Sequence, residues 1–264
     1  MVLYMDLRVN KTDIGLFLKT GIVVLSFIAL IFSGIKYLPK AITVSNHTNS
    51  KKIPICSVET SEQQVALTFD IDSVGKDLDL VLDILNKNNV KATFFITGKW
   101  IVNNKDGLIR IVNEGHDIGN HSYNHKHMDL LSAKECRDEI LKVHKLVKDL
   151  VDVEMHLFRP PYGDFNNTVI HTAKELGYET IRWNIDSLDW KDYGVNDIIM
   201  QTVENEALNN GSIIVFRLGT KYTPYALEEV ILKLQEKGYS LLALSELVYE
   251  KDYLVDLSGR QYEK

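Results

Sequence analysis

Several things are scarce in this chain of 264 residues, and each scarcity closes off a class of function. Only two cysteines are present, Cys56 and Cys136, too few for a disulfide framework. A single pairing and two free thiols both stay open. Positive charge is not in excess, since 30 Lys and Arg stand against 36 Asp and Glu for a formal net charge of -6. No segment alternates basic and aromatic residues as a groove tracking a nucleic-acid backbone needs, so nucleic acid is not expected as a partner. A glycine-rich phosphate cradle is also missing, which disfavours a phosphoryl-transfer or sugar-phosphate enzyme. Against these absences, 45% of the residues are apolar, enough for one substantial core.

The first positive signal is an uncharged run over residues 20–35, bracketed by Lys19 and Lys36. Extended back to Ile14, with Lys19 snorkelling, it reaches the roughly 20 residues that a helix needs to cross a bilayer. Arg8, Lys11 and Lys19 precede it, so a cytoplasmic N-terminus is expected, although Lys36, Lys40, Lys51 and Lys52 reduce the asymmetry. No small-residue cleavage signature follows, which favours an uncleaved anchor over a signal peptide. The organisation expected is a cytoplasmic tail over 1–13, a transmembrane anchor over 14–38, a polar linker over 39–63, a folded domain over 64–250 and a C-terminal tail over 251–264. The chain then sits in the cell membrane by a single pass, with its folded domain outside the cytoplasm.

From Val65 onward short apolar runs alternate with longer amphipathic ones. Strands are predicted at Val65–Phe69, Ala92–Ile96, Asp117–Gly119, His156–Arg159, Thr180–Trp183, Ser212–Phe216 and Ser240–Leu242. Helical spacing covers Leu78–Lys87, Trp100–Glu114, Ala133–Leu150, Thr168–Leu176, Val195–Leu208 and Tyr225–Lys237. This repeated unit predicts an α/β domain with a mainly parallel sheet, and about seven units approach a closed barrel. Chemistry in such folds gathers in the loops after the strands. Asp70, the His121 and His125 pair, Arg159, Asp189 and Arg217 all fall there.

Each of these residues has a chemical reading. His121 and His125 are four apart and share a face if the segment makes a helical turn. Imidazoles suit zinc and other borderline divalent ions, and a carboxylate, Asp70 or Asp72, is the expected third ligand. Asp70 closes its strand and is placed to act as a general base, while Asp72 or Ser73 better suits the N-terminal cap of the next helix. Arg159 precedes Pro160-Pro161, a rigid extended turn able to hold the guanidinium against Asp70 and lower its pKa. Tyr162 and Gly163 are placed to line the mouth, the glycine admitting a ligand close to the backbone. Trp190 either stacks on a sugar face or fills the core.

Thr68-Phe69-Asp70, His121-x-x-x-His125, Arg159-Pro160-Pro161-Tyr162-Gly163 and Asp186-Ser187-Leu188-Asp189-Trp190 together resemble the successive motifs of the polysaccharide deacetylase family, the NodB-homology domain. The likeness runs from about Val65 to Leu247 and is nearest in character to the sporulation-type, membrane-anchored branch. It implies a distorted (β/α)7 barrel that removes N-acetyl groups from cell-wall or spore-cortex glycan, acting as a monomer. It also implies a divalent metal, zinc being the expected ion, held by His121 and His125 with Asp72. Asp70 would be the base, Arg159 would orient it, Asp189 would tune the catalytic acid, and Tyr162, Trp190 and Arg217 would meet the glycan.

Two positions depart from the family pattern. Ile71 stands where a metal-binding aspartate is usual, and Arg217 stands where a histidine protonates the leaving nitrogen. Guanidinium stays protonated far above neutral pH and makes a poor general acid. A salt bridge from Arg217 to Asp189 is expected in place of the acid-tuning pair. The sequence therefore predicts a deacetylase, weakened in turnover by these departures, with a catalytically inactive glycan-binding relative as the alternative.

Overall fold

The computed structural model describes residues 52–72 and 77–264. The anchor expected over 14–38, most of the linker, and Ser73 lie outside the described residues. Among the described residues no helix is long and apolar enough to cross a membrane.

Among the described residues eleven strands form one sheet: β1 (Ser57–Val58), β2 (Gln64–Ile71), β3 (Thr93–Ile96), β4 (Asp117–Asn120), β5 (Leu157–Phe158), β6 (Glu179–Thr180), β7 (Ile185–Asp186), β8 (Ser212–Arg217), β9 (Ser240–Leu242), β10 (Tyr253–Val255) and β11 (Arg260–Glu263). Their order is β10-β11-β1-β8-β2-β3-β4-β5-β6, with β7 also on β8 and β9 on β2. Strand β2 is central because Val65, Ala66, Leu67, Thr68 and Phe69 are all fully buried, the unbroken pattern of a parallel strand covered on both faces. Phe69 stacks between Phe94 at 5.1 Å and Phe216 at 5.5 Å, joining β3, β2 and β8 beneath the mouth.

Among the described residues eight helices cover the strands: α1 (Leu78–Lys87), α2 (Gly98–Asn103), α3 (Lys105–Asn113), α4 (Ala133–Val151), α5 (Asn167–Glu175), α6 (Val195–Thr202), α7 (Thr223–Glu236) and α8 (Leu244–Leu247). Residue Asp77, not Asp72, occupies the N-terminal cap position of α1, and its side chain caps nothing there; it accepts instead from the Gly219 N–H. The single helix expected over Trp100–Glu114 is two, because the Asn104 side chain donates to the Trp100 carbonyl and its backbone leaves helical geometry. The helix expected to reach Leu208 ends at Thr202, whose hydroxyl donates back to the Ile198 carbonyl. Both residues use a side chain to compete with the helical ladder.

The expected β/α architecture is present as a half-barrel. Among the described strands β6 pairs only with β5, and the space beside it is bridged by one extended residue: Ile55 N–H donates to the Thr180 carbonyl, and Arg182 N–H donates to the Ile55 carbonyl. Residues 251–264, expected as a tail, supply β10 and β11, and β11 runs parallel to β1. Cys56 and Cys136 are both buried free thiols.

Register is what positions the site. Asp70 pairs with Arg217 across β2 and β8, Ile96 with Asn120 across β3 and β4, and Asn120 with Phe158 across β4 and β5. The residues that follow, His121 and Arg159, therefore leave the sheet at the same end as Asp70. Gly211 sets the start of β8 with φ +78°, and a Cβ there would meet the Val58 carbonyl oxygen at 1.8 Å. Gly211→Ala combines a left-handed backbone with that clash, so it should lower the unfolding free energy by about 3 kcal/mol in urea titration.

Candidate active-site cleft

The segment from His121 to His125 does not make a helical turn. The two rings, 5.0 Å apart, are brought together by an irregular loop in which Ser122 and His125 take positive φ of 63° and 57°. Hydrogen bonds hold this loop: Asn120 Oδ1 accepts from Ser122 N–H, and Ser122 Oγ accepts from His125 N–H. Its other support is Glu139 of α4, buried, whose carboxylate accepts from the Tyr123 and Asn124 backbone N–H groups and from Asn124 Nδ2. Glu139 escaped the sequence reading because a lone glutamate in an amphipathic helix looks like a solvated charge. Tyr162, Leu188 and Asp192, all near the mouth, also have φ of 52° to 60°; such strain gathers where surrounding structure dictates side-chain placement.

Arg159 is completely buried. It donates to Asp70 Oδ1 at 2.8 Å, to Thr68 Oγ1 at 2.9 Å and to the Arg182 carbonyl at 3.1 Å, and lies 4.0 Å from the Phe95 ring centroid. Burial pushes the Asp70 pKa up, but Arg159, His121 and Arg217 outweigh it and hold the carboxyl below its usual value. The pairing expected from the Pro160-Pro161 turn is thus present. Gly163 makes room for protein and not for ligand: a Cβ there would meet Arg182 Nε at 2.9 Å and the Trp183 ring at 3.0 Å.

The position of the missing acid is filled by an ion network. Arg217 donates to both Asp186 oxygens at 3.0 and 3.2 Å and to Asp189 Oδ1 at 3.1 Å. Asp189 Oδ2 accepts from the Arg217 backbone N–H and from Thr223 Oγ1, each at 2.7 Å. The expected bridge from Arg217 to Asp189 is there, with Asp186 as a second partner. Burial opposes the charge on Arg217, yet Asp186, Asp70 and Asp189 together raise its pKa. Burial dominates at Asp189, whose pKa is raised despite the N–H, the hydroxyl and the guanidinium it accepts from.

Asp70, Asp72, His121, His125, Tyr162, Trp183, Asp186, Trp190 and Arg217 line one cleft of about 450 Å³, so seven of the nine residues singled out in the sequence, all but buried Arg159 and Asp189, are brought to a common wall. Trp190 is 54% exposed, which excludes the core-filling role, and Tyr162 is equally exposed. Asp186, which opens the motif Asp186-Ser187-Leu188-Asp189-Trp190, and Trp183, legible only as a strand-end residue, complete the lining.

The fit to a divalent ion is partial. His121 Nδ1 lies 2.8 Å from the Arg159 carbonyl, so it carries the proton and leaves Nε2 as a lone pair toward Asp70 Oδ2, 4.0 Å away. Burial lowers the pKa of His121, and burial with its neighbour His121 lowers that of His125 to about 4, so both rings are neutral donors at pH 7. The third donor is weaker: Ile71 is fully buried, and Asp72, half-exposed, stands 3.7 Å from His125 Nδ1. Among the described residues the one trio of donors lying within 4.8 Å of one another is different, namely His127, Asp129 and Asp164. This cluster, capable of coordinating a divalent ion, was not foreseen, since a His-x-Asp segment and an aspartate 35 residues later carry no joint signal in one dimension.

A family profile described as polysaccharide deacetylase matches residues 57–181. The peptidoglycan-N-acetylglucosamine deacetylase of Bacillus cereus is 34% identical over 199 residues, 74% of this chain and 92% of its own. The enzyme PgdA of Listeria monocytogenes, with the same activity in its name, is 33% identical over 86% of this chain, which spans 45% of that relative; the chain spans 61% of YlxY from Bacillus subtilis. Among solved structures, a CE4 family pseudoenzyme from Bacillus anthracis superposes with a TM-score of 0.71 at 32% identity, covering 80% of this chain and 73% of that one. A mutant of that pseudoenzyme with restored enzymatic activity superposes equally well, at 33% identity over 75% and 72% of the two chains.

Removing Asp70 leaves the Arg159 charge buried without its carboxylate, a defect of about 3–5 kcal/mol. Asp70→Asn is expected to lower stability at pH 7 by that order in chemical denaturation. The depressed folded pKa of Asp70 contributes stability above the unfolded value near 3.8 and loses it as pH falls through the folded value. The gap between wild type and Asp70→Asn should therefore be full at neutral pH and shrink below about pH 4; a gap constant down to pH 2 would contradict the coupling.

Proposed function

The chain belongs to the polysaccharide deacetylase family, and from that premise we propose that it is a glycan-binding member whose hydrolytic turnover is lost or nearly lost. Its site is that of a degenerate metal-dependent deacetylase, without the acid histidine and without one metal aspartate. The observation that carries the reading is Arg217 held between Asp186 and Asp189. A guanidinium in that network cannot pass a proton to a leaving amine at neutral pH, and the loss of such a transfer is worth roughly 10²- to 10⁴-fold in rate. Support also comes from the likeness to a CE4 family pseudoenzyme at a TM-score of 0.71.

Binding needs less than catalysis. The cleft keeps two half-exposed aromatic faces, Trp190 and Tyr162, suited to stacking on the apolar face of an N-acetylated sugar, and keeps carboxylates to accept sugar hydroxyls. The ligand in this reading is cell-wall or spore-cortex glycan, met outside the cytoplasm by a monomer tethered through residues 14–38, in the manner of the sporulation-type branch. Asp70 is the vestigial base, oriented by Arg159; Asp189 fixes Arg217. His121, His125 and Asp72 are assigned to a divalent ion, zinc by donor type, which when bound polarises an acetamide carbonyl. The alternative is a slow deacetylase in which the same residues still turn over.

Acetate release and glycan binding, measured together on N-acetylated muropeptides and chitin oligomers, separate the two. The wild-type chain is expected to bind without releasing acetate above a heat-killed control, and Arg217→His to raise release by about a hundredfold over the background. Steady acetate release by the wild type would replace this reading with the alternative, and absence of glycan binding would remove both.

A further inference from the structure

We propose that His127, Asp129 and Asp164 form a divalent-metal site of their own at the rim of the cleft, separate from the His121 and His125 pair. The ion ties the loop after β4 to the turn Pro161–Gly163 and so fixes Tyr162 over the mouth. This goes beyond the glycan-binding reading and does not depend on it.

The donor atoms of the three residues lie within 4.8 Å of one another, a spacing that one ion can span. His127 Nδ1 is 2.5 Å from Asp164 Oδ2, and that pair alone would be an ordinary ion pair. Asp129 is what the ion pair does not explain. Its Oδ1 is sealed from solvent and has no hydrogen-bond partner among the described residues. A buried acceptor left without a donor costs about 1–3 kcal/mol, and more when charged. A cation between Asp129 and Asp164 removes that cost and the repulsion of two carboxylates.

One imidazole with two carboxylates suits zinc, manganese or a similar borderline ion better than calcium, which takes six to eight oxygens. His127 is exposed and the two aspartates are part-buried, so the remaining coordination positions face water and the ion exchanges with solvent. The consequence for the cleft runs through His127. Its ring stacks on Tyr162 at 4.1 Å and 15° between planes, and Tyr162 in turn contacts His125 at 4.6 Å. Tyr162 also holds a positive φ of 60°, a conformation that needs outside support. Asn166 Nδ2 donates to the Asp129 carbonyl at 2.9 Å, bracing the same two loops beside the ion.

Zinc titration of the full chain by calorimetry, in a His121→Gln/His125→Gln background, isolates this site. One zinc per chain is expected to remain in that background, to raise the thermal midpoint, and to be weakened at least about tenfold by Asp129→Asn or Asp164→Asn. His127→Gln repeats the ligand-loss arm, and circular dichroism checks the fold of each variant, so one variant failing to fold leaves the others decisive. No zinc binding in the double-glutamine background, or binding indifferent to all three substitutions, overturns the proposal. A wild type that binds a single ion, retained in that background, upholds it while removing His121 and His125 as ligands.

Discussion

The Arg159 guanidinium has no contact with solvent, and a charge placed so deep is stable only when its surroundings answer it from several directions. Thr68 and Asp70 answer from β2, the Arg182 carbonyl from the strand-end beyond β6, and the Phe95 and Trp183 rings from either side. These groups come from three separate stretches of chain, so the one side chain fixes the mouth of the half-barrel at a single geometry. The His121 ring is drawn in by the same residue, through the Arg159 carbonyl. Loss of catalytic parts elsewhere leaves this frame standing, because none of them belongs to it.

Arg217 sits across β2 and β8 from Asp70 in direct register. Its network differs in kind from that of Arg159. Asp186 takes it through two oxygens and Asp189 through one, while Thr223 and the Arg217 backbone N–H hold Asp189 from below. A bidentate guanidinium pair of this sort is rigid and permanently charged. The strand end that would carry a proton shuttle carries a structural clasp.

Much of this was legible in one dimension because it rests on periodicity and on residues placed at strand ends. The helix Leu78–Lys87 and the strand Ser240–Leu242 have the bounds that their spacing predicts, and Asp70, His121, His125 and Arg159 converge as the alternation of strand and helix requires. What escaped is short or non-local. Strands β1, β7 and β10 have two or three residues each and are defined by the strands they pair with, not by a period of their own. Glu139 acts on a loop fifteen residues earlier through backbone donors, and backbone donors have no sequence letter. His125 reaches its place through a left-handed residue and not a helical turn, so its spacing of four from His121 predicted the pairing for the wrong geometric reason.

The exchange of histidine for arginine reaches beyond the missing acid. Four carboxylates, Asp70, Asp72, Asp186 and Asp189, meet two guanidiniums in and under the cleft, with both imidazoles neutral. Arg217 is among the charges that hold the Asp70 pKa down, and a carboxylate with a lowered pKa is a weaker base. In the proposed reading, one substitution thus removes the proton donor and blunts Asp70 as proton acceptor opposite it. It also supplies part of the positive charge that a divalent ion would otherwise bring to these carboxylates, which lowers the electrostatic drive to recruit one beside His121 and His125. Ile71, buried in the core, acts in the same direction by withdrawing a ligand. The two departures therefore reinforce each other in one physical sense: each removes a part that hydrolysis uses while leaving the cleft its shape and its aromatic faces.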